Sequence, residues 1–430
     1  MPMSPSYAQR LEPMLPRIAD EFGTPFHIYD EAGIVENGRR LNALFAGISG
    51  FREFFAVKAL PNLRILELVR DELSFGFDCS AVAELQMARQ VGATAHDIMF
   101  SSNNTSPAEY AEALAHGGCI LNLDDVSFVD KVPQMPDLIC FRYNPGSVRS
   151  GNEIIGKPEE AKYGVRDDQV VEAYRRARDR GATRFGLHTM VISNERNQAY
   201  MVATIEMLFD VLRRVSRELG IRFEFVNIGG GIGIPYRPDD TAFDIEALAA
   251  KATKLFEAFE REQGYAPRLL MECGRYITGP YGVLATQVLN VMSKYRDYVG
   301  VDACMSSLMR PAMYDAYHHI TAVGRDGRPK QGVPGLVDVV GSLCENNDKF
   351  AKQRPLPPVE DGDYLLIHDT GAHGLAMGFQ YNGRLRPKEL LLRRDGTIEL
   401  IRRAETFEDY LRTQLDFEPR VLRVGHKSGV

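Results

Sequence analysis

The chain has 430 residues, of which 44% are hydrophobic and 25% charged, and its formal net charge is −7. That length supplies a large core without staples and suggests two or three domains. The composition excludes a disordered, collagenous or disulfide-scaffold chain, and the mild acidic excess gives no support to a nucleic-acid partner. Six cysteines (Cys79, Cys119, Cys140, Cys273, Cys304 and Cys344) are scattered, with no C-x-x-C pair and no Cys/His cluster at zinc spacing, so free thiols and no metal are expected. The opening MPMSPSYAQRLEPML lacks a basic stretch followed by an apolar one. No apolar run approaches the roughly 20 residues of a membrane helix, so the protein is expected in the cytoplasm, away from membranes.

Taken in chain order, a short amphipathic segment precedes TPFHIYD, which alternates and reads as a strand. From about residue 51 short β-prone runs alternate with longer segments of helical period. The predicted strands are FREFFAVK to Lys58, SFGFDCS at Asp78, DIMFSS before Asn103, CILNLD to Asp124, LICFRYN through Arg142, RFGLHTM through His188, FEFVNIGGG through Gly231 and RLLMECGR ending at Glu272. Between them NLRILELVRDEL, AVAELQMARQ, SPAEYAEALAHG, DQVVEAYRRARDRG, YMVATIEMLFDVLRRVSREL and IEALAAKATKLFEAFERE have helical spacing. Such alternation predicts an α/β fold with a parallel sheet, and about eight strands fit a (β/α)8 barrel, with an open doubly wound sheet as the alternative. After about residue 280 the rhythm changes. YGVLATQVLNVMSKY, HHITAVG, GLVDVVGSLC, DYLLIHD, KELLLRRDGTIELIRRAE and RVLRVG read as strands of a second, mainly β domain.

Titratable groups end most of the first eight runs, and a barrel would gather those ends around one mouth. Lys58 finishing an apolar strand is either a rim salt-bridge partner or an amine tuned to form a Schiff base. The triplet Gly229–Gly231 could be a phosphate loop, a dinucleotide fingerprint or a tight turn. The prolines of IGIPYRPDD argue against the helix that a dinucleotide motif needs. Glu272 should point into the mouth, and Gly274 and Arg275 could complete a phosphate cradle, or Arg275 could form a rim ion pair with Glu272. His188 is a satisfied core histidine or a flat partner for an aromatic cofactor. Arg310 and Tyr314, four apart in LMRPAMYDAYHH, share a face if that segment is helical and could receive an anionic substrate group. Cys344 beside Glu345 reads most simply as a buried structural cysteine.

Six motifs in a fixed order, over nearly the whole chain, resemble the fold-type III pyridoxal-phosphate decarboxylases. They are FFAVKA with Lys58, GFDCS with Asp78, the glycine triplet, ECGR with Glu272 and Arg275, Cys344–Glu345, and DTGAHG before QYNGRLRP. The resemblance implies a barrel over residues 34–280 and a β domain built from 1–33 plus 281–430, the architecture of alanine racemase and ornithine decarboxylase. It implies pyridoxal 5'-phosphate linked to Lys58, with Asp78, Arg142, His188, Gly230, Gly231, Glu272, Gly274, Arg275 and His373 around it. Cys344 would return a proton to Cα. The pattern around LMRPAMYDAYH is most similar to the diaminopimelate branch, which implies Arg275, Arg310 and Tyr314 at a distal carboxylate and Glu345 at a distal ammonium. The implied reaction is meso-2,6-diaminopimelate to L-lysine and CO2, the last step of lysine biosynthesis. A related D- or L-amino acid or a carboxylated polyamine precursor is the alternative. A homodimer with shared active sites is also implied. Three motifs depart from the family: His188-Thr189-Met190-Val191 for His-x-Gly-Ser, Gly371-Ala372-His373-Gly374 for Gly-Ala-Tyr-Gly, and Glu345-Asn346-Asn347-Asp348 for Glu-Ser-Gly-Asp.

Overall fold

The computed structural model describes residues 3–151 and 157–415. Eight parallel strands close into a barrel: Arg52–Ala56, Gly76–Cys79, Ile98–Phe100, Ile120–Leu123, Leu138–Asn144, Arg184–His188, Phe223–Asn227 and Arg268–Met271. Closure comes from Ile120–Leu123 pairing with Leu138–Asn144 while Arg268–Met271 pairs with Arg52–Ala56. Each strand lies in one of the predicted runs. All six predicted helices form, and their buried stripes pack on the outside of the barrel. Leu63–Leu73 shows how the ends are set. Asn62 caps it by accepting from the Arg64 amide, Ile65, Leu66, Leu68, Val69 and Leu73 are buried, and Ser74 turns left-handed to stop it.

The inside of the barrel has two storeys, because side chains on a strand alternate between faces. Phe54, Met99, Ile120, Leu138, Cys140, Phe225 and Leu270 form an apolar plug. The positions two further along these strands carry polar or charged side chains: Cys140 leads to Arg142, Phe225 to Asn227 and Leu270 to Glu272. Gly186, two before His188, leaves room for the plug, since a Cβ there would sit 2.0 Å from the Phe225 ring. Each fully buried aromatic or aliphatic side chain of this kind stabilises the fold by about 1.5–3 kcal/mol.

The second sheet is mainly antiparallel and holds the predicted runs as strands Gly282–Ser293, Ile320–Val323, Gly335–Val340, Tyr364–Ile367, Lys388–Leu392 and Ile398–Arg402. The early strand Phe26–Asp30 lies within it, antiparallel to Gly282–Ser293 and parallel to Lys388–Leu392. Strands Asp297–Val301 and Lys349–Leu356 and helix Glu31–Phe45 were not predicted. In Asp297–Val301 and Lys349–Leu356 the charged residues and the proline dilute the apolar signal. RVLRVG lies outside the described residues. Among the described residues no helix is long and apolar enough to cross a membrane.

Candidate active site

The strand ends converge as a barrel requires. Lys58 stands on a single 3-10 turn, Val57–Ala59, just past its strand. Its Nζ lies 3.6 Å from Asp78 Oδ2, a pair in which the lysine is half exposed and the aspartate is buried. Across the mouth His188 Nε2 donates to Glu272 Oε2 at 3.0 Å, and Asn227 Nδ2 donates to Glu272 Oε1 at 2.7 Å. Asn227 Oδ1 accepts from the Gly229 amide at 2.9 Å, so one side chain ties the acid to the glycine loop. Arg142 Nη2 donates to the Met190 carbonyl at 2.8 Å, and its guanidinium lies 3.8 Å over the Tyr163 ring. Burial lowers the Arg142 pKa, while Asp124 and Tyr163 oppose that shift.

Electrostatics separates the two inner acids. Burial, then the charge of Glu272, pushes Asp78 up to about 7 against the pull of Lys58. Burial also works against ionised Glu272, but His188, Lys58 and the Asn227 amide together hold it below the ordinary carboxylate range. Glu272 is thus the persistent anion of the mouth. Behind the wall, buried Glu53 accepts from the Cys273 amide and anchors the strand end that carries Glu272.

The glycine loop is shaped by its lack of side chains. Gly229 and Gly231 have φ of +69° and +89°. A Cβ on Gly230 would lie 2.3 Å from the Glu272 carbonyl oxygen, and one on Gly274 would lie 2.5 Å from Ala59 Cβ. No helix follows the triplet until Ile245, which fits a phosphate loop and not a dinucleotide fingerprint. Asp78 Oδ1 and His188 Nδ1 are buried with no protein partner. Two partnerless polar atoms, a reachable amine and a bare-backbone cradle fit a flat aromatic aldehyde carrying a phosphate.

The substrate-side residues divide. Arg275 and Arg310 are buried and both donate to the Tyr236 hydroxyl, Arg310 at 2.7 Å. Glu272 and Arg275 therefore do not form the rim pair that was one reading of ECGR. His373 has φ +56°, its amide donates to the Ala59 carbonyl at 2.8 Å, and its ring is held neutral by burial and by Arg275, Arg310 and Lys58. Helix Arg310–Tyr314 exists but is one turn long, and Tyr314 is 62% exposed while Arg310 is buried, so the two do not share surroundings in one chain. Cys344 and Glu345 are exposed, on a loop set by Asp348. That buried carboxylate accepts from the Met305 amide at 2.6 Å and the Leu343 amide at 2.8 Å. The expectation of a buried Cys344 is corrected: the other five cysteines are the buried ones. The Thr189 hydroxyl is buried and donates to the Tyr143 carbonyl at 2.8 Å.

Asn227, Tyr236 and His318 escaped sequence reading, and Asp348 was named only as the end of the Glu345–Asp348 motif. For Asn227 a signal existed in its place two residues before the glycine triplet. Tyr236 and His318 are ordinary polar residues in loop-rich segments and carried none.

The barrel, its second sheet and a lysine–acid–glycine-loop mouth define a pyridoxal-phosphate enzyme of the decarboxylase type. Residues 32–279 match the family model described as the pyridoxal-binding domain of pyridoxal-dependent decarboxylases, and the chain belongs to that family. It is 50% identical to Protein TabA of Pseudomonas amygdali pv. tabaci, over 95% of this chain and 96% of that one. It is 38% identical to the diaminopimelate decarboxylase of Methanothermobacter thermautotrophicus, over 92% and 93%. Among solved structures, diaminopimelate decarboxylase from M. jannaschii with L-lysine superposes with a TM-score of 0.84 at 28% identity, covering 94% of each chain.

Proposed function

We propose that this decarboxylase converts meso-2,6-diaminopimelate to L-lysine and CO2. The observation that carries the substrate is the pair of buried guanidiniums, Arg275 and Arg310, meeting at one hydroxyl with no carboxylate in ion-pair distance among the described residues. A bare distal ammonium, as in ornithine, would be repelled there, whereas a distal carboxylate is what two guanidiniums grip. The diaminopimelate decarboxylases among its relatives support the same reading.

When bound, pyridoxal phosphate supplies the electron sink for the pair left on Cα as CO2 departs. Lys58 would hold it covalently, and the glycines at 230, 231 and 274, the Arg275 backbone amide and His373 would receive its phosphate, leaving the Arg275 guanidinium for the substrate. Glu272, kept ionised, would supply the anion for its pyridine nitrogen. His188 would lie against the ring, with Asp78 and Arg142 at its edge. Tyr314 and Glu345 would complete the distal end of the substrate, Glu345 for the ammonium, and the Cys344 thiol would give Cα its proton. Cys344, Glu345 and Tyr314 face solvent in the single chain, which supports a homodimer in which a second copy delivers them. The residues 34–280 and the remaining β unit are proposed as the two domains, and the cytoplasm as the compartment.

The departures at His373 and Asn346–Asn347, together with the TabA relative, favour one other reading: a related amino acid with a modified far end. Purified protein with added pyridoxal phosphate should release lysine from meso-diaminopimelate, and Lys58→Ala should not. Absence of lysine from a wild type that shows the visible absorption of bound cofactor would refute the substrate and leave the decarboxylase class intact.

A further inference from the structure

Tyr236 lies in the IGIPY segment after the glycine triplet and is 8% exposed. Its hydroxyl oxygen accepts from Nη1 of both Arg275 and Arg310. The guanidinium carbons sit 5.7 and 5.0 Å from its ring centroid. Both acceptor positions of the hydroxyl are thus taken by guanidinium donors.

His318 completes the arrangement. Its Nδ1 faces the His368 carbonyl at 2.7 Å and therefore carries the proton, leaving Nε2 as an acceptor for Arg310 Nη1 at 3.3 Å. Burial, reinforced by Arg310, pushes its pKa down to about 3, so the ring is neutral at working pH. The two rings meet edge to face with centroids 5.2 Å apart. Both protons of Arg310 Nη1 are thus engaged. The Nε/Nη2 edge, the fork that grips a carboxylate with two parallel bonds, is left for a ligand. The hydroxyl also offsets a repulsion, since Arg275 disfavours the charge of Arg310.

We propose that Tyr236, backed by His318, is a positioning residue that fixes Arg275 and Arg310 as a clamp for the distal carboxylate. This rests on the proposed substrate class. It places specificity in the loop that follows the phosphate cradle, so one stretch of chain would shape both ends of the site.

The test is Tyr236→Phe in the cofactor-loaded enzyme. KM for meso-diaminopimelate should rise about tenfold to a hundredfold, the range for a hydrogen bond to a charged group, while kcat stays within about threefold. Calorimetry should show the same loss for pimelate, a dicarboxylate, and no change for hexanoate, which lacks the distal carboxylate. A merely structural role would weaken both ligands alike, or would lower kcat and the visible absorption together. Either result, or an unchanged KM, overturns the proposal. His318→Gln should show a smaller loss for pimelate in the same direction, and it decides the matter if Tyr236→Phe does not fold. Should wild type fail to turn over diaminopimelate, the substrate reading falls, and the calorimetric contrast still decides the clamp.

Discussion

Replacing Asn227 with aspartate turns one amide nitrogen into an oxygen and leaves the shape alone. That nitrogen is 2.7 Å from Glu272 Oε1, so the variant sets two buried carboxylates in contact. Both cannot ionise, and the pair keeps a proton with a raised apparent pKa. The unfolded chain releases that proton near pH 4. The variant's deficit relative to wild type is therefore smallest at low pH and widens as pH rises, until the folded pKa of the pair is passed. The slope is about 1.4 kcal/mol per pH unit, which gives a total of about 3–4 kcal/mol if the pair titrates near 7. Asn227→Ala removes the same donor, and the bond to the Gly229 amide, without adding charge. It should cost about 1.5–3 kcal/mol, a cost that levels off once Glu272 is ionised instead of widening further with pH. Urea denaturation of the cofactor-free protein at about pH 5, 6.5 and 8 separates the two variants. A deficit for Asn227→Asp that stays flat with pH would refute the assignment of Glu272 as the buried anion held by Asn227.

Asp78 gives the opposite sign. Its folded pKa is raised to about 7 by burial and by Glu272, so the stability it allows is full at low pH and is lost as pH rises through 7. At about pH 8 cofactor-free Asp78→Asn should be more stable than wild type by up to about 4 kcal/mol, with little gain at pH 4, as read by thermal melts; equal gains at both pH values would contradict it. Gly230→Ala would push a methyl to 2.3 Å from the Glu272 carbonyl, costing about 1–3 kcal/mol and weakening cofactor binding at least about tenfold in an absorbance titration. Wild-type affinity there would remove the cradle from the argument. Asp348→Asn leaves one of the Met305 and Leu343 amides facing an NH2 group. It should lower stability by about 1–3 kcal/mol and kcat more than KM, and an unaffected kcat would detach that loop from the chemistry.

The barrel was legible because its strands are short apolar runs with charges at their ends, and the two-residue step from Cys140 to Arg142 or Leu270 to Glu272 is already visible as alternation. Partner choice was not. Glu272 could have paired with nearby Arg275, yet it meets His188 from another strand, while Arg275 turns to Tyr236. Barrel closure decides that, and no local spacing reports it. The same holds for Tyr314, whose four-residue distance from Arg310 promised a shared face. A single-turn helix at the surface separates a buried end from an exposed one.

The strand Phe26–Asp30 sits between partners from far along the chain: Phe26 pairs with Ala285 on one side and Lys388 on the other. During synthesis it must wait for some 362 residues (388 − 26) before its second neighbour exists. At roughly 5–20 residues per second that wait is on the order of 20–70 s. The barrel strands all emerge in that interval and can close first. The second sheet is thus the last thing this chain can finish, and it is assembled around a segment that was made among the first. A ribosome-bound chain stopped before residue 388 would display Phe26, Ile28 and their row as an unpaired, apolar edge, the form most open to capture by a chaperone or by another nascent copy.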